Sequence, residues 1–143
     1  MKVLITNNSL DLRTGTDLYV RDLAVALIRR GHAVVACSSR LGEVADELRK
    51  LAVPVIDEPA ACPVTPDIIH GHHHVDTMGA LCAFPGVPAV SVCHGWVPWE
   101  EMPPRHPRIA RYVAVDETCR DRLVLECGID ARQVDVLLNF VDL

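Results

Sequence analysis

Four histidines, His70, His72, His73 and His74, fall within five residues of the segment PDIIHGHHHVDTMGA (residues 66–80), with Asp76 two positions beyond the last. Imidazoles this close together, followed by a carboxylate, can hold a zinc ion from one tight turn. The same spacing can instead mark the end of a β-strand. His70 and His72 then share one face at period two, and His73 and His74 open the next helix. A protonated histidine is unfavourable at the positive end of a helix, so the second reading implies neutral imidazoles that hydrogen-bond a polar ligand.

Other residues could do chemistry. His94, in AVSVCHGW, stands at a strand end as a hydrogen-bonded structural residue or as one facing a ligand. Gly95 after it would let the loop pass close to that ligand. Gly15 either merely opens a helix or offers a backbone N–H to an anion at the helix's positive end. Asp17 reads as an N-cap or first-turn acid. Trp96 and Trp99 are core plugs or a platform for the C–H faces of sugar rings, in a loop stiffened by Pro98, Pro103, Pro104 and Pro107.

Positioning these groups requires a scaffold, and the chain alternates two patterns. Apolar, β-branched runs at residues 2–6, 33–39, 53–57, 67–72, 89–95, 112–117 and 134–139 read as seven strands, the third at an edge because of Pro54. Segments 17–30, 42–52, 75–84 and 118–127 carry apolar residues at three- and four-residue steps and read as helices. Arg29, Arg30 and then Gly31 close the first helix. Apolar strands alternating with helices predict an α/β fold, a doubly wound, mostly parallel Rossmann-like sheet with ligands beyond the carboxyl ends of the strands. Those ends are residues 6–16, 38–40, 71–74, 94–97 and 116–117.

Length and composition agree. The 143 residues suit a single domain, residues 1–143, with half of them hydrophobic. A net charge of −5 without a long basic run argues against nucleic-acid binding. Arg105, His106, Arg108 and Arg111 read as a solvated loop, with a surface for anionic lipid or substrate as the alternative. No segment is apolar for the ~20 residues that would span a membrane, and no signal-peptide pattern opens the chain. The six cysteines form no C-x-x-C and sit in apolar runs, as expected of reduced, buried thiols in a cytoplasmic protein.

Four pieces in register resemble the N-terminal domain of the GT-B retaining glycosyltransferases of family 4. They are KVLIT…TGTDLYVRDLAVALIRRGHAV, PDIIHGH, PAVSVCHGW and RYVAVDETCRDRLVLECGIDARQVDVLLNFVDL. The resemblance implies an acceptor-binding half, inactive alone, of an enzyme moving a sugar from a nucleotide-sugar donor to a carbohydrate or glycolipid acceptor. No metal or other cofactor is implied; the nucleotide sugar is a co-substrate. It implies a catalytic His94, donor and phosphate contacts at Thr14, Gly15 and Gly95, and acceptor contacts at His72, His73, His74, Trp96, Trp99 and Asp116. The partner would be a C-terminal nucleotide-binding domain or subunit, absent from these residues, with peripheral membrane contact also expected.

Three positions depart from the family pattern. Thr14 replaces the first glycine of a pair, Asp116 replaces a serine, and Phe140 replaces the glycine of NGVD. No E-x₇-E pair in a strand-to-helix context is present. Two alternatives stand beside this reading. One is a stand-alone or split-enzyme binding module without catalysis. The other is a zinc hydrolase, since HHHVDT resembles the H-x-H-x-D-H signature of the metallo-β-lactamase-like enzymes at His72, His74 and Asp76.

Overall fold

The computed structural model describes residues 1–96 and 99–140. Val97 and Pro98, expected in the strand-end region and the stiff loop, and residues 141–143 of the NFVDL ending lie outside the described residues.

KVLIT forms β1 (Lys2–Thr6), followed by α1 (Gly15–Arg29), β2 (Ala33–Cys37), α2 (Glu43–Lys50) and the short β3 (Val55–Ile56). The second half runs β4 (Ile68–His72), α3 (His74–Ala83), β5 (Ala89–Cys93), β6 (Ile109–Ala114), α4 (Glu117–Asp121) and β7 (Val134–Val136). Every pairing is parallel and the strand order is β3-β2-β1-β4-β5-β6-β7, the doubly wound sheet expected, with β3 at an edge. The order reverses between β1 and β4, where Val3 pairs with Ile68 and Thr6 with Gly71.

Side-chain alternation along β1 divides the core. Val3 and Ile5 pack with Val20 and Ala24 of α1 and Val44 and Leu48 of α2. Leu4 points the other way, into the cluster that holds Ala80 and Leu81 of α3 and Leu123. Both faces are therefore covered, as an all-parallel sheet requires. Complete burial of a leucine such as Leu81 or Leu123 contributes about 1.5–3 kcal/mol.

Helix ends follow local rules. α1 stops at Gly31, whose φ of +82° suits glycine. The N–H groups of Gly31 and His32 return to the carbonyls of Ile28 and Leu27, closing the turn. Several boundaries differ from expectation. β6 begins at Ile109, three residues before the predicted start, because Ala110 and Arg111 are exposed and hide the strand in a polar-looking sequence. The last predicted helix divides into α4 and a π-helical turn, Arg122–Glu126. β3 keeps only two residues, since Val53 and Pro54 precede it.

The basic segment is not simply a solvated loop. Arg108 turns back and donates to the main-chain oxygens of Leu81, Phe84 and Val87, serving the carbonyls where α3 ends.

Candidate functional site at the strand ends

The histidines gather at the carboxyl ends of β4 and β5, beside the switch point. His70 and His72 share a face of β4, and His94 follows β5 directly. Their rings form a line: His70 Nδ1 lies 3.1 Å from His72 Nε2, and His72 Nδ1 lies 2.6 Å from His94 Nε2. The His72 and His94 rings stack, with centroids 4.9 Å apart and planes 20° from parallel. Tyr19, one turn into α1, stands edge-on to both rings at 5.5 and 4.8 Å.

These imidazoles are neutral at ordinary pH. Burial, joined by repulsion from His94, lowers the His70 pKa to about 4. Burial likewise brings His94 to about 4, against the opposing pull of Glu101. His72, wholly enclosed, is pushed well below the usual range by burial and by the three histidines around it. That enclosure bears on one expectation: His72, expected among the acceptor contacts, exposes no surface in this structure, and its ring meets His94.

A buried glutamate that sequence reasoning missed organises the rest. Glu101 Oε2 accepts the main-chain N–H of His94 at 2.9 Å, and its Oε1 lies 3.3 Å from His73 Nε2. Burial would raise this carboxyl's pKa, but hydrogen bonds from His73 and from the His94 backbone bring it below the ordinary value. One side chain thereby joins the β4–α3 turn, the end of β5 and the short 3₁₀ turn Trp99–Glu101. His73 caps α3 with φ +66°, a strained conformation for a histidine, and its Nδ1 is buried without a hydrogen-bond partner. Arg122, almost fully buried, donates to the Gly95 oxygen at 2.7 Å and fixes the turn after His94.

Other expected residues lie where a ligand could meet them. Trp96 and Trp99 are 50% and 65% exposed, so neither is a core plug. Trp99 borders a cleft of about 270 Å³ with Ser39, Arg40, His73, Asp76 and Glu100. Thr14 caps α1 and Gly15 is its first residue, both exposed. A side chain at Gly15 would meet no atom within 4 Å, so packing within the chain does not call for glycine there. Asp17 is buried under that helix start, accepting from Asn7 Nδ2 at 3.2 Å. Its pKa is raised by burial, with hydrogen bonds from Thr14, Leu12 and Ser9 opposing.

Asp116, expected at the acceptor side, is exposed and has a part in the fold. Its carboxylate accepts from the Cys119 N–H and the Thr118 hydroxyl, capping α4. His74 turns its Nδ1 to the Met102 carbonyl at 3.2 Å, away from the buried His72. Among the described residues no three His, Cys, Asp or Glu side chains converge as metal ligands. The all-parallel sheet also lacks the opening antiparallel strands of the hydrolases that HHHVDT resembles.

A doubly wound parallel sheet with polar groups gathered at its switch point defines a Rossmann-like α/β domain. Residues 63–143 match the sequence model of Glycosyltransferase Family 4, more than half of the chain, and the protein belongs to that family. Among solved structures, Anabaena Alr3699/HepE in complex with UDP and glucose shares the fold at TM-score 0.72 and 17% identity, over 99% of this chain and 45% of that one. A glycosyltransferase from Rickettsia africae ESF-5 does so at TM-score 0.75 and 17% identity, over 96% of this chain and 42% of the other. The chain thus spans less than half the length of these structures. No curated protein gives a significant match. No helix among the described residues is long and apolar enough to cross a membrane.

Proposed function

We propose that residues 1–143 are one domain, the acceptor-side half of a retaining GT-B glycosyltransferase. A nucleotide-binding domain or subunit outside these residues completes the catalytic cleft. The observation that carries this reading is the placement of His94 at the end of β5, against the first turns of α1. There the His94 ring meets Tyr19, one turn beyond the start of α1 at Gly15, so the helix start and the histidine belong to the same strand-end edge. In the complete enzyme His94 faces the reacting sugar, and Thr14, Gly15 and Gly95 border the donor phosphates. His73, His74, Trp96 and Trp99 line the acceptor side. Asp116 is left to its cap. The nucleotide sugar is a co-substrate, and no metal takes part. Such a half binds a carbohydrate or glycolipid acceptor, at the membrane surface for a lipid-linked one, on the cytoplasmic side. It does not turn over by itself.

Exposed Val75, Trp96, Trp99 and Met102 offer apolar surface to the nucleotide-binding half, either as a following domain or, in the split-enzyme version, as a separate chain. Both versions share one test. In the enzyme completed with its nucleotide-binding half, His94→Ala lowers transfer by about 10²-fold or more, the scale of losing one preorganised donor. Far-UV circular dichroism of this domain stays unchanged. Normal turnover in that variant would remove His94 from the reaction, and tight binding of UDP by the isolated chain would overturn the assignment to the acceptor side.

A further inference from the structure

The cleft beside Trp99 is built from four loops at the ligand edge of the sheet. Asn8 follows β1, and Ser39 and Arg40 follow β2. Asp76 lies in the first turn of α3, and Trp99 and Glu100 belong to the 3₁₀ turn after β5. His73 lines the cleft as well. It is more than nine-tenths buried, and its Nδ1 has no hydrogen-bond partner, which leaves a polar atom for a ligand to satisfy. The His73 ring stacks 6.4 Å from that of His94, so the cleft adjoins the histidine line.

Size and charge narrow what can enter. At about 270 Å³ the cleft falls just below the ~300–1,000 Å³ of pockets that enclose drug-sized molecules, so it has room for one ring and not for a chain of them. Trp99, mostly exposed, offers an aromatic face on which the C–H groups of a pyranose pack. Around that face stand the acceptors of Asp76 and Glu100 and the donors of Asn8, Ser39 and Arg40. Sugar hydroxyls both donate and accept, and so can use both kinds. The charges are unequal: two carboxylates face one guanidinium, and Arg40 already lies 4.0 Å from Asp11. A phosphate or a uronate would meet an excess of negative charge there. An uncharged ring would instead donate hydroxyls to carboxylates, in charge-assisted hydrogen bonds.

We propose that this cleft is a one-ring subsite for an uncharged sugar, stacked on Trp99 and hydrogen-bonded by Asp76, Glu100 and Arg40, and that it turns anionic sugars away. The inference deepens the transferase reading and rests on it for the ring's part as the end of the acceptor. Binding of the ring does not itself require transfer.

The test is a ¹H–¹⁵N correlation spectrum of the whole chain at pH 7. It is titrated with the methyl glycosides of glucose, galactose, mannose and N-acetylglucosamine, and in parallel with the methyl glycoside of glucuronic acid and with glucose 1-phosphate. At least one uncharged glycoside is expected to shift the Trp99 indole N–H and the main-chain N–H groups of Ser39 and Asp76 in a saturable way. Both anions should leave those signals in place at the same concentrations. Trp99→Ala, a change at an exposed residue, should weaken the binding roughly 2- to 10-fold, the range of one aromatic contact. Asp76→Asn/Glu100→Gln should admit the glucuronide. An anion that binds wild type as tightly as the uncharged sugars overturns the proposal. So do saturable shifts confined to Trp96, or no saturable shift with any of these sugars. If the double variant does not fold, the wild-type and Trp99→Ala titrations decide. Normal transfer without His94 would leave the binding result standing, and an anion in the cleft would leave the role of His94 standing, so the two readings fail separately.

Discussion

Gly71 lies in β4 between His70 and His72, and Gly71→Ala tests how tightly that strand is held under α3. A Cβ at this position would fall 2.3 Å from Thr77 Oγ1, 2.5 Å from its Cγ2 and 2.9 Å from its Cβ. Thr77 cannot simply rotate. It is fully buried, and its hydroxyl donates to the His73 carbonyl at 2.6 Å. Either that bond breaks or α3 moves away from the sheet. Overpacking of this kind costs about 1–3 kcal/mol. Loss of the Thr77 hydrogen bond adds about 1 kcal/mol, for a total of roughly 2–4 kcal/mol. With a urea m-value of about 2 kcal/mol/M, the unfolding midpoint of the chain should fall by roughly 1–2 M. Thr77→Ala removes the two closest atoms, so Gly71→Ala/Thr77→Ala should be more stable than Gly71→Ala alone, a coupling of the kind expected for touching residues. A Gly71→Ala midpoint within about 0.3 M of wild type would refute the packing argument, as would strict additivity of the two changes.

Two further outcomes follow from the electrostatics and the caps. His70, His72 and His94 all bind protons less readily when folded, so the unfolded chain takes up more protons as pH falls below 6.5. Their contribution to stability is therefore complete above pH 6.5 and is lost progressively towards pH 4. The urea midpoint should drop between pH 7.5 and 5, by less in His72→Asn; a midpoint that holds or rises in wild type would contradict the buried neutral cluster. Asp116→Ala should cost about 1 kcal/mol by uncapping α4, while Asp116→Ser keeps the cap and most of that stability. Thermal unfolding of the two variants side by side checks this, and equal losses would remove the capping role.

The sheet was legible because burial on both faces leaves uninterrupted apolar runs. KVLIT, AVVAC and AVSVC cannot be mistaken for surface. The period of two placed His70 and His72 on one face, and strand-end logic brought His94 to the same edge. The partners of those rings were hidden for physical reasons. Glu101 stands among prolines and another glutamate, a composition that reads as solvated loop, and only the folded chain brings it under His94 and His73. Tyr19 sits within a helix pattern that explains it equally well as ordinary packing. Arg108 looked like surface charge because its partners are main-chain carbonyls, which no side-chain pattern reveals. The burial of His72 was also out of reach, since a histidine at a strand end can face solvent or core with the same spacing.

The sheet order has a consequence for the chain while it is being made. β1 is central, yet it gains its two neighbours at very different times. β2 follows after one helix, whereas Val3 waits for Ile68, 65 positions later. At synthesis rates of roughly 5–20 residues per second, one edge of β1 stays unpaired for about 3–13 s. During that interval Leu4, destined for complete burial, lies on an open sheet edge without α3 to cover it. The nascent amino-terminal half is thus a sticky three-stranded fragment until the PDIIHGH segment clears the ribosome. The strand that carries the histidines to the site is also the one that ends this exposed interval.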